Sequence, residues 1–240
     1  MILTEVAVRN KMKEIAKEHK VKATIGGFYA KCGNYFWAIQ NTPYSFHSRY
    51  VHSGIKPWSW DETLDAIVHP NNPSHFTDLS HWGGGAAMKL YSFAPEVVCF
   101  DAELDGKNTI IREGELDRIT REIFESEKAK IDNLIQVVAT QYEDFDEYCI
   151  ANADYTSWRF CGRLYAGFAA IRKGRYTQAM EFLLRAKGEV ETREYTTRFC
   201  FCYGRYDRDL RDVLIDYCKT MIEGSEWTYE KIVGKREVIG

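Results

Sequence analysis

The hydrophobic pattern of this 240-residue chain changes its period at about residue 115. Before that point short segments alternate apolar and polar residues, as half-buried strands do, and after it apolar residues recur every three or four positions, as on one helix face. This order predicts an α+β fold. We expect an α+β domain over residues 1–112, built on a small, mostly antiparallel sheet with a helix, and a helical domain over residues 113–240 that is a bundle of about four or five helices.

The first domain opens with signals for a helix and then a hairpin. Thr4 is a suitable N-cap for a helix that runs to about Lys20. The apolar positions of that helix, spaced by three and four, are Val8, Met12, Ile15 and Ala16. The Cys-Gly-Asn turn at residues 32–34 predicts a first hairpin, and the alternating segment Glu96–Leu104, followed by Asp-Gly, predicts a second.

A segment rich in histidine, proline and tryptophan, residues 44–85, lies between the two predicted hairpins. It contains five of the six histidines of the chain, namely His47, His52, His69, His75 and His81. We expect this segment to be mostly loop. Its one regular piece is predicted to be a short helix, Trp60–Val68, because Pro70 lies just beyond its end.

The second domain shows helical periodicity with two interruptions. Two apolar stripes between residues 116 and 142 are separated by a Glu-Lys-Ala-Lys segment that we expect to be solvated, and the charged run Glu143–Glu147 is predicted to be an exposed end. Asp154 is a suitable cap for the next helix, and residues 195–203 alternate as a strand does. A last helix is predicted to begin near Asp207 or Asp209.

The most regular stretch, residues 155–187, predicts two helices joined by a Lys-Gly-Arg turn, with Leu184 among the inward positions of the second. Within it, GFAAIRKGRYTQAMEFLLRA resembles one tetratricopeptide-type helical hairpin, with small residues where the helices cross. A solenoid of this type needs several copies at a period of about 34 residues, and no second copy is present. The resemblance therefore implies a single hairpin within a bundle.

The first eighty or so residues carry a second resemblance. A helix, the hairpin segments VKATIGG and GNYFWAIQ, and then WDETLDAIV and SHFTD follow in an order that is similar to small αββ domains attached to large polyvalent proteins of phages and plasmids. This resemblance implies an origin on a mobile element. It brings no catalytic residues to this sequence.

Composition excludes some classes of protein. No run approaches the roughly 18 apolar residues that a membrane-spanning helix needs. The N-terminus lacks the apolar region and cleavage site of a secretory signal. Seven cysteines, an odd number without an export signal, indicate reduced thiols. We therefore expect a cytoplasmic protein with no membrane partner, and the sequence does not indicate an oligomeric state.

The net charge of −3 conceals a strong polarisation along the chain. Residues 113–147 contain eleven acidic and four basic residues, a balance of −7. Residues 151–211 contain twelve basic and seven acidic residues, a balance of +5, and ten of the bases are arginines. An asymmetry of this kind concerns the partners of a protein more than its fold.

The arginines of the second domain are interleaved with aromatic residues. Guanidinium groups suit phosphates and carboxylates, and aromatic faces suit nucleic-acid bases or the energetic centres of protein interfaces. We predict a partner surface formed by Trp158, Arg159, Arg163, Arg172, Arg175, Tyr176, Arg198 and Arg205. The alternative is that these arginines pair with the acids of residues 113–147 inside one domain.

The histidines support a metal site less well. His69, His75 and His81, with Asp78 as an oxygen donor, have the ligand types of a zinc site. Their six-residue spacing places them on no common helical face, and the chain has no His-Glu-x-x-His or paired Cys-x-x-Cys motif. We therefore expect no metal and no cofactor, with zinc as the alternative.

These observations favour recognition over catalysis. We expect a non-enzymatic interaction protein, encoded by a phage or another mobile element, that binds a host protein or a nucleic acid and inhibits or modulates it. The alternative is a phosphodiesterase or nucleotide hydrolase, either metal-dependent or histidine-based, that uses the loop His47–His81.

Overall fold

A computed structural model describes residues 1–24, 27–45, 47–68, 70, 91–94, 96–157, 160–186, 198–201, 204–228 and 231–232. Over these residues the fold is α+β, as the sequence predicts. An antiparallel sheet with helices comes first, and a helical region follows it.

The contacts of the chain divide it into two compact units that are each discontinuous in sequence. Met1–Pro57 and Leu90–Thr140 form unit 1, and Trp58–Lys89 and Gln141–Gly240 form unit 2. This grouping differs from the boundary expected after residue 112, because the helix that follows residue 112 is grouped with the sheet. The domain boundary itself stays a prediction.

Unit 1 is built on a six-stranded antiparallel sheet. Its strands are β1 (Lys22–Thr24), β2 (Gly27–Cys32), β3 (Tyr35–Ser45), β4 (Ser48–Pro57), β5 (Tyr91–Ser92) and β6 (Glu96–Cys99). They pair in the order β1-β2-β3-β4-β5, and β6 pairs with another part of β4. The β2–β3 hairpin predicted at residues 32–34 is present, and Gly33 supplies its left-handed backbone with φ of 56°.

The long β3–β4 hairpin corrects the expectation that the segment from residue 44 onwards begins as loop. The two strands pair from Tyr35 opposite Pro57 to Ser45 opposite Ser48. The alternation is difficult to read from the sequence because five buried positions of the hairpin carry polar side chains: Asn41, Ser48, Arg49, Ser53 and Lys56. Asn41, Arg49 and Ser53 each take part in a side-chain hydrogen bond, so burial does not leave them without a partner.

Helix α1 (Glu5–Glu18) forms where it is predicted. The Thr4 hydroxyl accepts a hydrogen bond from the backbone N–H of Ala7 at 3.1 Å, which is the expected N-cap. The four positions predicted to face inward are all buried: Val8, Met12, Ile15 and Ala16.

Helix α3 (Glu115–Gln141) is a single helix of 27 residues. The expectation that the Glu-Lys-Ala-Lys segment is solvated is wrong at Glu127, which is only 2% exposed. The ring of Phe124 lies 4.9 Å from Phe28 of β2 and 6.5 Å from Trp37 of β3, centroid to centroid. These aromatic contacts pack α3 onto the sheet.

The second predicted hairpin is present, but the predicted strand Glu96–Leu104 is divided between two sheets. Its first part is β6, and its second part, β7 (Ala102–Asp105), pairs with β8 (Asn108–Ile111) through a turn at Gly106, where φ is 60°. Between them, the Phe100 N–H donates to the His47 carbonyl at 2.7 Å. This bond lies one position beyond the Ser48–Cys99 pair and is the last described link between the chain and β4 before β7 begins.

Unit 2 contains five helices in its described residues. They are α2 (Ser59–Val68), α4 (Phe145–Ala151), α5 (Gly162–Arg172), α6 (Tyr176–Arg185) and α7 (Leu210–Ile222). Two short antiparallel pairs accompany them, β9 (Thr156–Ser157) with β10 (Phe160–Cys161) and β11 (Arg198–Phe201) with β12 (Gly204–Asp209). The predicted helix α2 is confirmed. Its buried Trp60 packs against the rings of Phe145 and Phe168, at 5.5 and 5.6 Å.

The α5–α6 hairpin has the predicted turn and the predicted small residue at its crossing. A Cβ atom on Gly167 would lie 2.6 Å from Leu183 Cγ, so glycine permits the close approach of the two helices. Two details of the prediction are wrong. Helix α5 begins at Gly162, not near residue 155, because β9 and β10 pair ahead of it, and Leu184 is 53% exposed.

The charged run Glu143–Glu147 is not an exposed end. Asp144 caps α4 by accepting a hydrogen bond from the Glu147 N–H at 3.0 Å, and Phe145 and Asp146 are buried. The charge pattern predicts exposure wrongly because Phe145, in the middle of the run, is buried in the core. The side chains of Asp144 and Glu147 remain partly accessible to solvent.

Candidate functional site

The eight residues predicted to form a partner surface fall into three groups. Trp158 and Arg159 lie outside the described residues, and Arg198 and Arg205 lie in β11 and β12, of whose side chains nothing is described. The remaining residues all belong to unit 2 and are Arg163, Arg172, Arg175 and Tyr176. The structure places Arg175 and Tyr176 side by side on the surface.

Arg172, the last residue of α5, is directed into unit 2. Its Nε donates to Asp146 Oδ2 at 2.9 Å. One terminal nitrogen donates to the Ser59 carbonyl at 2.9 Å and to the Thr63 hydroxyl, and the other donates to the Ser59 hydroxyl at 3.0 Å. A single planar guanidinium therefore joins α2, α4 and α5, a geometry that lysine cannot reproduce.

Asp146 is the buried carboxylate of this cluster, at 6% exposure. It also accepts a hydrogen bond from the Trp60 indole N–H at 2.7 Å. Burial raises the pKa of Asp146, although Arg172 and Trp60 act in the opposite direction. A buried carboxylate with a cation and a second donor is most simply a structural link. The described hydrogen bonds of Arg172 are therefore made within unit 2, and its place on a partner surface stays a prediction.

The basic residues at the α5–α6 turn are paired with acids just before α4 and in its first turn. Arg175 contacts both carboxylate oxygens of Glu147, at 2.5 and 3.1 Å. The Lys173 ammonium lies 2.6 Å from Asp144 and 3.5 Å from Glu143. Burial acts to raise the pKa of Asp144, but Lys173 and the Glu147 N–H outweigh it and the pKa is lowered. Here the structure shows the internal pairing that the sequence left as an alternative.

Arg163 is also paired, with an acid outside that charged run. Its Nε and one terminal nitrogen contact Asp154 Oδ1 at 3.1 and 2.8 Å, and the Asp154 side chain is 86% exposed. Ion pairs this exposed contribute only about 0–1 kcal/mol. The pair with Asp154 therefore holds Arg163 weakly.

A shallow depression of about 380 Å³ lies at the turn between α5 and α6. It is lined by Gly174, Arg175, Tyr176, Thr177, Gln178 and Ile222. Gly174 reverses the chain with φ of 71°, and the first turn of α6 together with Ile222 at the end of α7 forms the walls. Ile222 is 51% exposed and the Arg175 side chain 43% exposed. We call these six residues the turn surface.

Tyr176 in the turn surface is supported from behind by α7. Its ring lies 6.2 Å from that of Tyr217, centroid to centroid, in an edge-to-face arrangement. Burial raises the pKa of the Tyr217 hydroxyl, and the neighbouring Tyr176 adds to the effect. An aromatic ring fixed beside an exposed aliphatic side chain and an arginine is the combination found at the centres of protein interfaces.

Comparison with protein-family models, with curated proteins and with solved structures gave no match. The turn surface is therefore interpreted from its own residues. Sequence reasoning found Arg175 and Tyr176 from the arginine and tyrosine pattern but missed Ile222, which reads as one more apolar residue of a helix. The sequence signal that could have identified Ile222 as exposed is its position in the last turn of α7, beyond the apolar stripe of that helix.

The metal-site candidates His69, His75, His81 and Asp78 lie outside the described residues. Within the part of the chain that the structure describes, no group of three or more histidine, cysteine, aspartate or glutamate side chains is placed to hold a metal ion. In that same part, no helix combines the length and the apolar character that crossing a bilayer requires.

Proposed function

We propose that this protein is a non-enzymatic interaction protein that binds another protein through the turn surface. The observation that carries the proposal is the exposed Ile222 in a depression whose other wall holds Tyr176 and Arg175. The depression is open and shallow, whereas a site for a small substrate encloses most of the surface of its ligand. An open depression is better suited to the side chains of another macromolecule.

The charges around the turn surface favour a protein partner over a nucleic acid. Nucleic-acid binding depends on lysines and arginines that neutralise phosphates. Here the two basic residues of the turn, Lys173 and Arg175, are paired with three carboxylates, Glu143, Asp144 and Glu147. The Glu143 side chain is 76% exposed, so a phosphate backbone would meet negative charge at this edge.

An origin on a phage or another mobile element, which the αββ resemblance implies, belongs to the same proposal. In that setting the partner is a host protein, and binding inhibits or modulates its activity.

Affinity capture with a matched pair of variants tests the proposal. Ile222→Ser removes the exposed aliphatic wall of the turn surface, and Leu184→Ser makes the same kind of change at a position of similar exposure, 53% against 51%, outside that surface. We expect a host-lysate protein that is retained by the wild type and by Leu184→Ser and lost with Ile222→Ser. Retention that is equal for all three proteins would contradict the proposal.

Two further measurements test the alternatives. A shift of labelled DNA or RNA that weakens steeply with salt would make a nucleic acid the partner. Stoichiometric zinc or manganese in the purified protein, lost when His69, His75 and His81 are replaced, would favour the phosphodiesterase. We expect neither result.

A further inference from the structure

The chain turns back on unit 2 directly after α7. Gly224 has φ of 66°, and the Ser225 N–H donates to the Thr220 carbonyl at 3.0 Å, as at a helix end closed by glycine. Residues 225–228, which we call the strap, then lead to Ile232, which is completely buried. The strap is therefore held by a tight turn before it and a core residue after it.

Trp227 of the strap makes a long-range hydrogen bond. Its indole N–H donates to the Ile67 carbonyl, in the last turn of α2, at 2.6 Å. The last carbonyls of a helix have no hydrogen-bond donor within the helix. Trp227 of the strap provides the missing donor for the Ile67 carbonyl. Trp227 thereby connects two segments that are 160 residues apart.

The same side chain also supports the turn surface. The Trp227 ring meets Tyr217 edge to face, with centroids 5.3 Å apart, and Tyr217 in turn contacts Tyr176. Edge-to-face pairs of this kind contribute about 0.5–1.5 kcal/mol beyond area burial. Three rings therefore form a row from the strap to the wall of the turn surface.

We propose that the strap regulates the turn surface: when Trp227 is docked, Tyr217 and Tyr176 are held in the arrangement that binds a partner, and when the strap is released the surface loses that arrangement. The inference rests on the proposed function. It requires that strap docking and partner binding stabilise each other, because a coupling between two sites acts in both directions.

Hydrogen exchange on the full chain tests this coupling without a partner. Trp227→Phe keeps a ring but removes the N–H donor. We expect exchange in the last turn of α2 to become about fivefold faster, as for one lost hydrogen bond, and exchange over residues 174–178 to stay unchanged. Trp227→Leu keeps apolar bulk but removes the ring contact. We expect it to speed exchange at both places and to move the pKa of Tyr217 back toward its ordinary value.

Glu226→Ala is the matched control, because Glu226 is the exposed neighbour of Trp227, and we expect it to change neither region. The proposal is overturned if Trp227→Leu leaves residues 174–178 and the Tyr217 titration unchanged. It is also overturned if exchange rises equally throughout α5, since the strap would then act only on overall stability. Neither result affects the Ile222→Ser capture experiment, so a failure here and a failure of the proposed function are distinguishable.

Discussion

Each unit contains a buried carboxylate that is held by one neutral donor and one cation. In unit 1, Glu127 of α3 accepts from the Ser53 hydroxyl of β4 and from Lys130 at 2.6 Å. In unit 2, Asp146 of α4 accepts from Trp60 at 2.7 Å and from Arg172 at 2.9 Å. The two clusters have the same plan but use different cations.

The difference lies in what else each cation binds. Lys130 reaches a second carboxylate, Glu96, at 2.5 Å, and its side chain is 30% exposed, so it keeps an ion-pair partner and some water without Glu127. Arg172 is 18% exposed and bonds in addition to groups on α2. Unit 1 also has the packing of Phe124 against the sheet, whereas in unit 2 one guanidinium joins three helices. We infer that unit 2 depends more on its cation than unit 1 does.

Replacing the arginine gives the largest expected effect. Arg172→Met leaves Asp146 buried without its cation and removes the bonds to Ser59 and Thr63. Removing one partner of a buried ion pair costs about 3–5 kcal/mol, and we expect a loss of stability in that range. Urea unfolding, followed by hydrogen exchange in α5, measures it.

Arg163→Met is the control for that measurement, because the Asp154 side chain that it leaves unpaired is 86% exposed. We expect the loss of this ion pair to cost less than about 1 kcal/mol. Equal losses for the two variants would show that the Arg172 cluster contributes no more than a surface pair.

Breaking the cluster of unit 1 has a smaller expected effect. Glu127→Ala leaves the Ser53 hydroxyl buried without its acceptor, while Lys130 keeps Glu96, so we expect a loss of about 1–3 kcal/mol. Asp132→Ala, which removes an exposed partner of Lys128 on the same helix, is expected to cost only about 0.3–0.5 kcal/mol. A loss for Glu127→Ala as large as that for Arg172→Met would remove the contrast between the units.

The parts of the fold that could be predicted are those whose signals are local. Helix α1 has its Thr4 cap next to its apolar positions, and helix α2 has its apolar positions followed closely by Pro70. Strand β4 was missed because its buried Arg49 and Ser53 read as exposed positions. Arg49 bonds Asn41 across the hairpin and Glu5 44 residues away, and Ser53 bonds Glu127 74 residues away. The two distant partners leave no local pattern.

The candidate site divides in the same way. Arg175 and Tyr176 stood out in the sequence because residue type and turn position are local properties. The burial of Asp146 depends on Trp60, 86 residues away, and on Arg172, 26 residues away, so a charged run looked like an exposed end. The pairing of Arg175 with Glu147, 28 residues apart, was foreseen only as an alternative use of the same charges.

The smallest expected effect concerns two neighbouring carboxyls of unit 2. The pKa of Asp146 is raised above 3.8, mainly by burial, and that of Asp144 is lowered below 3.8, because Lys173 and a backbone N–H outweigh burial. A raised pKa means that the folded state binds more protons, so the contribution of Asp146 to stability is complete below pH 3.8 and is lost as the pH rises through its folded pKa. Asp144 contributes above pH 3.8 and loses that contribution as the pH falls through its folded pKa.

An NMR titration of the two carboxyl groups measures both pKa values, and we expect that of Asp146 above 3.8 and that of Asp144 below 3.8. Unfolding measured over the same pH range is expected to separate the two contributions. In Asp146→Asn, we expect the free energy of unfolding to fall less as the pH rises. In Asp144→Asn, we expect it to fall less as the pH decreases. If both carboxyls titrate below 3.8, the ion pair with Arg172 outweighs burial at Asp146, and ionised Asp146 then stabilises the fold above pH 3.8, as Asp144 does.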